Sequence, residues 1–324
     1  MALKRPAAAA SVSSLRKKPA ASSTKKSTSA AVRQRPAQAS VPLRKPASAL
    51  KTRPAARSEV LAEEEQEEDE SEPEMSPEFQ KLLDTHSLDA LYNQLHFGDV
   101  AGRRNWHYSL QEGPEYGKLR IGTDSSNPMA FDFQILGTES HLSGTWLWSW
   151  ANDYGGMPPD LTTSAGKLRA GDLIAEPPPE FTTGHFKLEQ AHGHQLASVA
   201  AALLNCPAYY CAPNPGGTGA SFLLITDPDF PARKANSPPD EAMRLVRVVN
   251  QALQLGWVSN WRHAIDSFLN KRAQHRKGEG EGEGAAKKVT YFISPADGSL
   301  EVAFNDEDKV ASVAYIGPGG ADES

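Results

Sequence analysis

The sequence predicts an α+β fold: a single domain with an antiparallel, aromatic-rich sheet and helices packed mainly on one face, behind a disordered N-terminal tail. Three observations predict it. Three of the six tryptophans, Trp146, Trp148 and Trp150, fall at two-residue spacing in Thr145-Trp146-Leu147-Trp148-Ser149-Trp150-Ala151-Asn152, and alternate side chains of an extended strand share a face. Stretches of helical periodicity alternate with short apolar runs bounded by Gly, Pro, Asn and Asp. The composition also changes abruptly, because residues 1–57 carry fourteen Lys and Arg with no Asp or Glu, whereas residues 58–76 carry ten acidic residues and no basic one.

The rest of the chain, 77–324, holds twenty basic and thirty acidic residues. The formal net charge of −6 therefore averages three unlike parts: a basic tail at 1–57, an acidic linker at 58–75 and an α+β domain at 76–318, with a flexible Gly/Glu insertion at 277–286. About 240 residues rich in Trp, Phe, Leu and Val suffice for one hydrophobic core. In the tail a short unit recurs as Lys4-Arg5-Pro6-Ala7, Lys17-Lys18-Pro19-Ala20, Arg35-Pro36-Ala37, Lys45-Pro46-Ala47 and Arg53-Pro54-Ala55. Proline breaks helices and like charges repel, so the tail is expected to be extended and disordered. These spaced basic units resemble the tails of linker histones and other chromatin proteins, whose Lys and Arg neutralise phosphates without reading bases. That reading makes nucleic acid the partner and the nucleus the compartment. An acid-free start rich in Arg, Ser and Ala also suits a cleaved organelle transit peptide, and a solubilising tail is the third account.

The acidic run at 59–74 could fold back on the tail at low salt, or serve simply as a charged linker. No window approaches the roughly 18 uninterrupted apolar residues of a membrane span, so a soluble protein with no membrane partner is expected. Cys206 and Cys211 match neither a zinc pattern nor a disulfide framework. They read as buried free thiols in a reducing, intracellular compartment.

Order is expected from Ser76-Pro77, a helix cap followed by proline at the first position. Phe79, Leu82, Leu83, Leu88, Leu91 and Leu95 give that helix its apolar spacing, with a break near Thr85–Ser87 and an end at Gly98. Strands are expected at Asn105–Gln111, Lys118–Gly122, Met129–Leu136 and Leu142–Asn152. A hairpin through Gly137–His141 would place Phe131, Phe133 and Ile135 beside the tryptophans on one face. Helices follow at Pro158–Gly171 and at 189–205, a short strand at Phe181–Leu188, and two strands at Ala208–Cys211 and Ser221–Thr226. Ser237 and Ser259 cap two more helices, the second ending in Lys271, Arg272, His275 and Arg276. Strands at Val289–Ile293, Leu300–Phe304 and Val310–Ile316 close the domain.

Chemistry is sparse in this chain. The tryptophan stripe reads either as a core strand or, with an indole left exposed, as a stacking platform of Trp146, Trp148 and Trp150 for a nucleobase or sugar. His192 and His194, with His185 upstream and Asp227 or Glu189 as a further ligand, form the metal candidate. Histidines two apart chelate on a strand but diverge at a helix start, and surface or capping histidines are the alternative. Asp227-Pro228-Asp229 ends an apolar strand, where carboxylates can hold a divalent cation or simply make a turn. The glycine loop at 216–219 lacks the ending of a phosphate loop, and neither Gly-x-Ser-x-Gly nor His-Glu-x-x-His occurs. No cofactor is indicated and no catalytic residue is assigned.

The strand Gly144–Asn152, preceded by Gln134-Ile135-Leu136-Gly137, resembles an uncharacterised domain family of bacteria and some eukaryotes, DUF6882. In that family a Trp-Leu-Trp-x-Trp-Ala-Asn strand follows an Ile/Val-Leu-Gly strand, and an Ala-rich helix and a late Phe-Asn/Asp turn come after, comparable to 189–205 and Phe304-Asn305-Asp306. The resemblance would cover about 100–316 and implies an α+β domain with no established activity. The favoured function is a non-enzymatic binding module tethered by its tail to an anionic polymer. The alternative is a small-molecule or metal-dependent enzyme with a site beside the sheet, where Asp132, His185, His192, His194 and Asp227 would be mutated first.

Overall fold

Ser76 opens the first helix as its sequence predicts. Its hydroxyl accepts the Phe79 N–H at 3.2 Å, proline takes the first helical position, and α1 runs over Pro77–Ala101. The expected break near Thr85–Ser87 does not occur. Thr85 returns its hydroxyl to the Lys81 carbonyl at 2.8 Å, and Ser87 is fully buried. Nor does Gly98 end the helix, which stops at Gly102, where φ is 63° and favours glycine.

The computed structural model describes residues 74–123, 126–153, 156–233, 238–272, 275–281, 287–294 and 298–317. The basic tail, nearly all of the acidic linker, and residues 282–286 of the Gly/Glu run lie outside the described residues. After α1 come β1 (Trp106–Tyr108), β2 (Lys118–Ile121), β3 (Met129–Ser140), β4 (Thr145–Trp148), α2 (Pro159–Ala170), α3 (Pro179–Thr182), β5 (His185–Lys187), α4 (Gly193–Leu203), β6 (Ala208–Pro213) and β7 (Gly219–Ile225). Then follow α5 (Pro238–Leu255), α6 (Trp261–Leu269), β8 (His275–Glu281), β9 (Lys287–Ser294), β10 (Gly298–Phe304) and β11 (Val310–Ile316). The class is α+β.

Two antiparallel sheets are present rather than one. The first orders its strands β1-β2-β3-β4-β5, with β7 also on β3 and β6 on β7; the second is β11-β10-β9-β8. The late strands pair among themselves because a helical stretch, α5 and α6, intervenes and supplies its own apolar stripes. Trp261, Ala264, Ile265 and Phe268 of α6 join Leu245, Val248 and Val249 of α5 over Val289, Tyr291, Leu300 and Val302. β8 was not expected. It carries the first half of the Gly/Glu run into the sheet, pairing Lys277 with Thr290 and Glu281 with Lys287. His275 and Arg276 therefore belong to a strand, and α6 ends at Leu269. Phe181, expected in a strand, lies in the short turn of helix α3.

A β-bulge decides how the first sheet uses its aromatics. Against β7 the register of β3 shifts between Ile135 and Gly137, and one extra residue reverses which face each later side chain takes. Phe131, Phe133 and Ile135 consequently enter one core with Leu223 and Ile225, while Leu136 enters another with Trp146, Trp148 and Phe222. The two aromatic rows expected side by side thus lie on opposite faces. The hairpin itself is present, with Glu139 opposite Trp146 and Gly137 opposite Trp148. Its turn falls later than expected, beyond Ser140. A β-carbon at Gly137 would sit 2.7 Å from the Leu147 carbonyl and closer still to the Trp146 indole, so only glycine leaves room there. Gly137→Ala should lower stability by about 1–3 kcal/mol, read as a lower urea midpoint at unchanged slope; an unaltered midpoint would show that the hairpin can relax.

Candidate functional site

The tryptophan strand ends at Trp148, so only Trp146 and Trp148 keep the two-residue alternation. Neither has exposed surface. Their rings meet edge to face at 5.4 Å, Phe222 and Phe181 close on them at 5.5 and 5.8 Å, and Trp148 Nε1 donates to the Glu180 carbonyl at 2.8 Å. Trp150 leaves the strand in a 3-10 turn, Ser149–Ala151, and is half-buried beneath the Arg169 guanidinium, 4.3 Å above its ring. The three indoles do not share a surface, and Trp146 and Trp148 offer no face to a flat ligand.

The histidine and aspartate candidates are spread over separate elements. His185 is exposed on β5 opposite Leu147, and His192 is exposed at the cap of α4, where its N–H donates to Gln195 Oε1 at 2.8 Å. His194, on the first turn of α4, packs against Phe222 at 5.1 Å and places Nδ1 3.1 Å from the Tyr209 hydroxyl; this packing lowers its pKa. Asp227 spends its carboxylate on turn geometry, accepting the Asp132 N–H at 3.1 Å and the Asp229 N–H at 2.8 Å. Asp132 in turn pairs with Lys118, raising the lysine pKa. Among the described residues no three His, Cys, Asp or Glu side chains gather so as to hold a metal ion.

A polar groove runs beside α1 instead. It has a volume of about 670 Å³ and is lined by Asn93 and His96, by residues 204–207 after α4 and by residues 226–228 and 230–233 after β7. A second hollow of about 400 Å³ continues past His86, Asp89 and Lys271. His86, Asp89, Asn93 and His96 recur every three or four residues, one stripe of the helix, and that polar row was readable opposite the leucines. The far wall is anchored by Phe230, 6.1 Å from Phe97 and 5.3 Å from Phe131, and by His96 Nε2 donating to the Pro231 carbonyl at 2.8 Å. Burial lowers the His86 pKa and pushes the Cys206 thiol up to about 11. At neutral pH the lining therefore presents an uncharged imidazole and a thiol that is not a nucleophile, suited to hydrogen-bonding a polar ligand.

One group of titratable side chains does converge, at the start of α4. Glu139, largely buried, accepts the Gly193 N–H at 3.3 Å and faces His141 Nε2 at 3.0 Å; His141 Nδ1 faces the Gly217 carbonyl at 3.3 Å. Both imidazole nitrogens thus face acceptors, an arrangement fully satisfied only by the doubly protonated ring. Glu139 first, and Gly217 second, raise the His141 pKa. His141 thereby ties the β3–β4 turn to the β6–β7 turn.

The model of a family of unknown function, DUF6882, matches residues 80–228. The matched segment begins in α1 and ends just after β7, so it takes in the first sheet and leaves out α5, α6 and the second sheet. The expected span to 316 is shortened accordingly. No curated protein and no solved structure matches the chain. Among the described residues no helix is long and apolar enough to cross a membrane.

Because His141 titrates higher in the folded protein than the ordinary 6.5, its contribution to stability is full below about pH 6.5 and fades as pH rises through the raised value. Wild-type protein should lose stability across that window, and His141→Gln should flatten the loss. A variant that keeps the same pH dependence would assign it to another group.

Proposed function

We propose that this protein is a non-enzymatic binding module whose basic tail contacts an anionic polymer, nucleic acid. The observation that carries the reading is the charge pattern of residues 1–57, fourteen Lys and Arg without one acidic residue. Such a segment binds by releasing condensed counterions, each neutralised phosphate adding about 0.7–0.9 to the slope of log affinity against log salt. Recurrent Lys/Arg-Pro-Ala units space the charges along the sequence, which suits a polyanion better than a folded protein surface.

The α1 groove favours a second reading, a small-molecule site. Of the residues first weighed for an enzyme, Asp132, His185, His192, His194 and Asp227, only Asp227 lines that groove. A cleaved transit peptide is the competing account of the tail, and finding Met1–Arg57 on the mature protein in cells would exclude it.

The test is a salt titration of nucleic-acid binding by the full chain and by the chain lacking residues 1–57. Binding by the full chain should weaken steeply with salt, and the truncation should lose most of both affinity and slope. Equal binding by both proteins would overturn the tail's role.

A further inference from the structure

The chain enters β1 through Gly102-Arg103-Arg104-Asn105-Trp106-His107-Tyr108, where two cations precede an aromatic-His-aromatic alternation. Among the described residues β1 pairs only with β2, so it is an edge of the first sheet. Alternation puts Trp106 and Tyr108 on one face, and their rings are parallel to within 9° with centroids 6.0 Å apart. Tyr210 from β6 props Trp106 edge-on at 5.5 Å, and Phe133 props Tyr108 at 5.8 Å. Trp106, Tyr108 and Tyr210 are half-buried. Neighbours hold them in orientation against the third core while each residue stays partly exposed, unlike the enclosed Trp146 and Trp148.

Two cations lead into the strand. Arg103 and Arg104 are exposed and form no ion pair among the described residues. On the opposite face of the strand, exposed His107 stands across from Arg120. The nearby carboxylate of Glu115 is taken up by Arg120, which lowers the Glu115 pKa. A locally cationic edge therefore stands on a domain that is acidic overall.

We infer that this edge is a base-stacking surface for single-stranded nucleic acid: Trp106 and Tyr108 take bases, and Arg103 and Arg104 take the adjoining phosphates. Partly exposed aromatic residues next to unpaired guanidinium groups suit a flat heterocycle joined to an anion, and every base has a π-face, so little sequence preference follows. A duplex hides its bases in the stack and is a poorer fit. The inference rests on the tail reading above, to which it adds a contact on the folded domain and a different signature. Tail contacts follow phosphates alone, whereas this edge distinguishes strands with bases from strands without them.

The test measures fluorescence anisotropy of the full chain on a short labelled oligothymidylate and on an abasic strand of equal length. Wild type should prefer the oligothymidylate by about tenfold. Trp106→Leu and Tyr108→Leu should each reduce that preference while leaving abasic-strand binding unchanged. The double variant Arg103→Ala/Arg104→Ala, at exposed positions where folding is not at stake, should weaken both strands and lower the salt slope by about 1.4. Equal wild-type binding to the two strands overturns the inference, as does a preference that survives Trp106→Leu with an unchanged salt slope in the arginine variant. Deleting 1–57 separates the two readings: a preference that persists while affinity falls supports both, whereas loss of affinity without any initial preference removes the edge and keeps the tail.

Discussion

Two buried carboxylates fix the helix on which the rest of the domain is assembled. Glu180, with no exposed surface, accepts the Ser76 N–H at 2.7 Å and the Ser76 hydroxyl at 2.6 Å, pinning the start of α1 to α3. Asp84, two turns along, accepts the Ser259 N–H and hydroxyl at 2.8 Å each and the Asn260 N–H at 3.1 Å, pinning α1 to the start of α6. Charge-assisted bonds of this kind are strong, and removing the acceptor leaves buried donors unpaired at about 1–3 kcal/mol each. Held by these clamps, α1 serves all three cores: Phe79 and Leu83 the first, Leu88, Leu91 and Tyr92 the second, Phe97 and Ala101 the third. Tyr92 adds a cross-link of its own, lying between the Arg233 and Arg272 guanidinium groups at 4.3 and 4.4 Å with its hydroxyl on Glu241. Burial and that bond push its pKa up to about 12, so it remains a donor.

This dependence explains what could be read in advance. Local signals were legible wherever local chemistry decides: the Ser76-Pro77 start, the α2 stripe of Leu161, Ala165 and Leu168 ending at Gly171, and the α6 face of Trp261, Ala264, Ile265 and Phe268. What was not legible depends on partners distant in sequence. Neither Glu180 with Ser76 nor Asp84 with Ser259 has a local pattern, and Thr85–Ser87 looks like a break until Asp84 is seen to bond outward. The bulge at Leu136 is set by pairing with β7. Without it the alternation of Phe131, Phe133 and Ile135 points to the wrong face. β8 gave no signal either, since a charged, glycine-rich edge strand reads like a linker.

The site followed the same division. His192 and His194 drew notice as neighbours in sequence, yet the structure sends them to separate partners and places Glu139 beside His141 and the Gly193 N–H, a grouping drawn from β3, the turn that follows it and a helix. The tryptophans drew notice by spacing, and spacing alone does not report exposure. Trp106 and Tyr108 carry a shorter version of the same alternation at an edge, where the sheet stops and each residue stays partly exposed. Arg103 and Arg104 immediately upstream set this pair apart from the enclosed one.

A closed tryptophan strand is thus separate from a partly exposed aromatic edge, and the proposed contact to nucleic acid lies at the edge and the tail. The most direct measurement follows the six indole N–H resonances of the full chain by NMR as oligothymidylate is added. The account predicts that the Trp106 indole shifts while those of Trp146 and Trp148, which have no exposed surface, stay in place. Shifts at Trp146 and Trp148 with Trp106 unmoved would contradict it and return the ligand to the central strand.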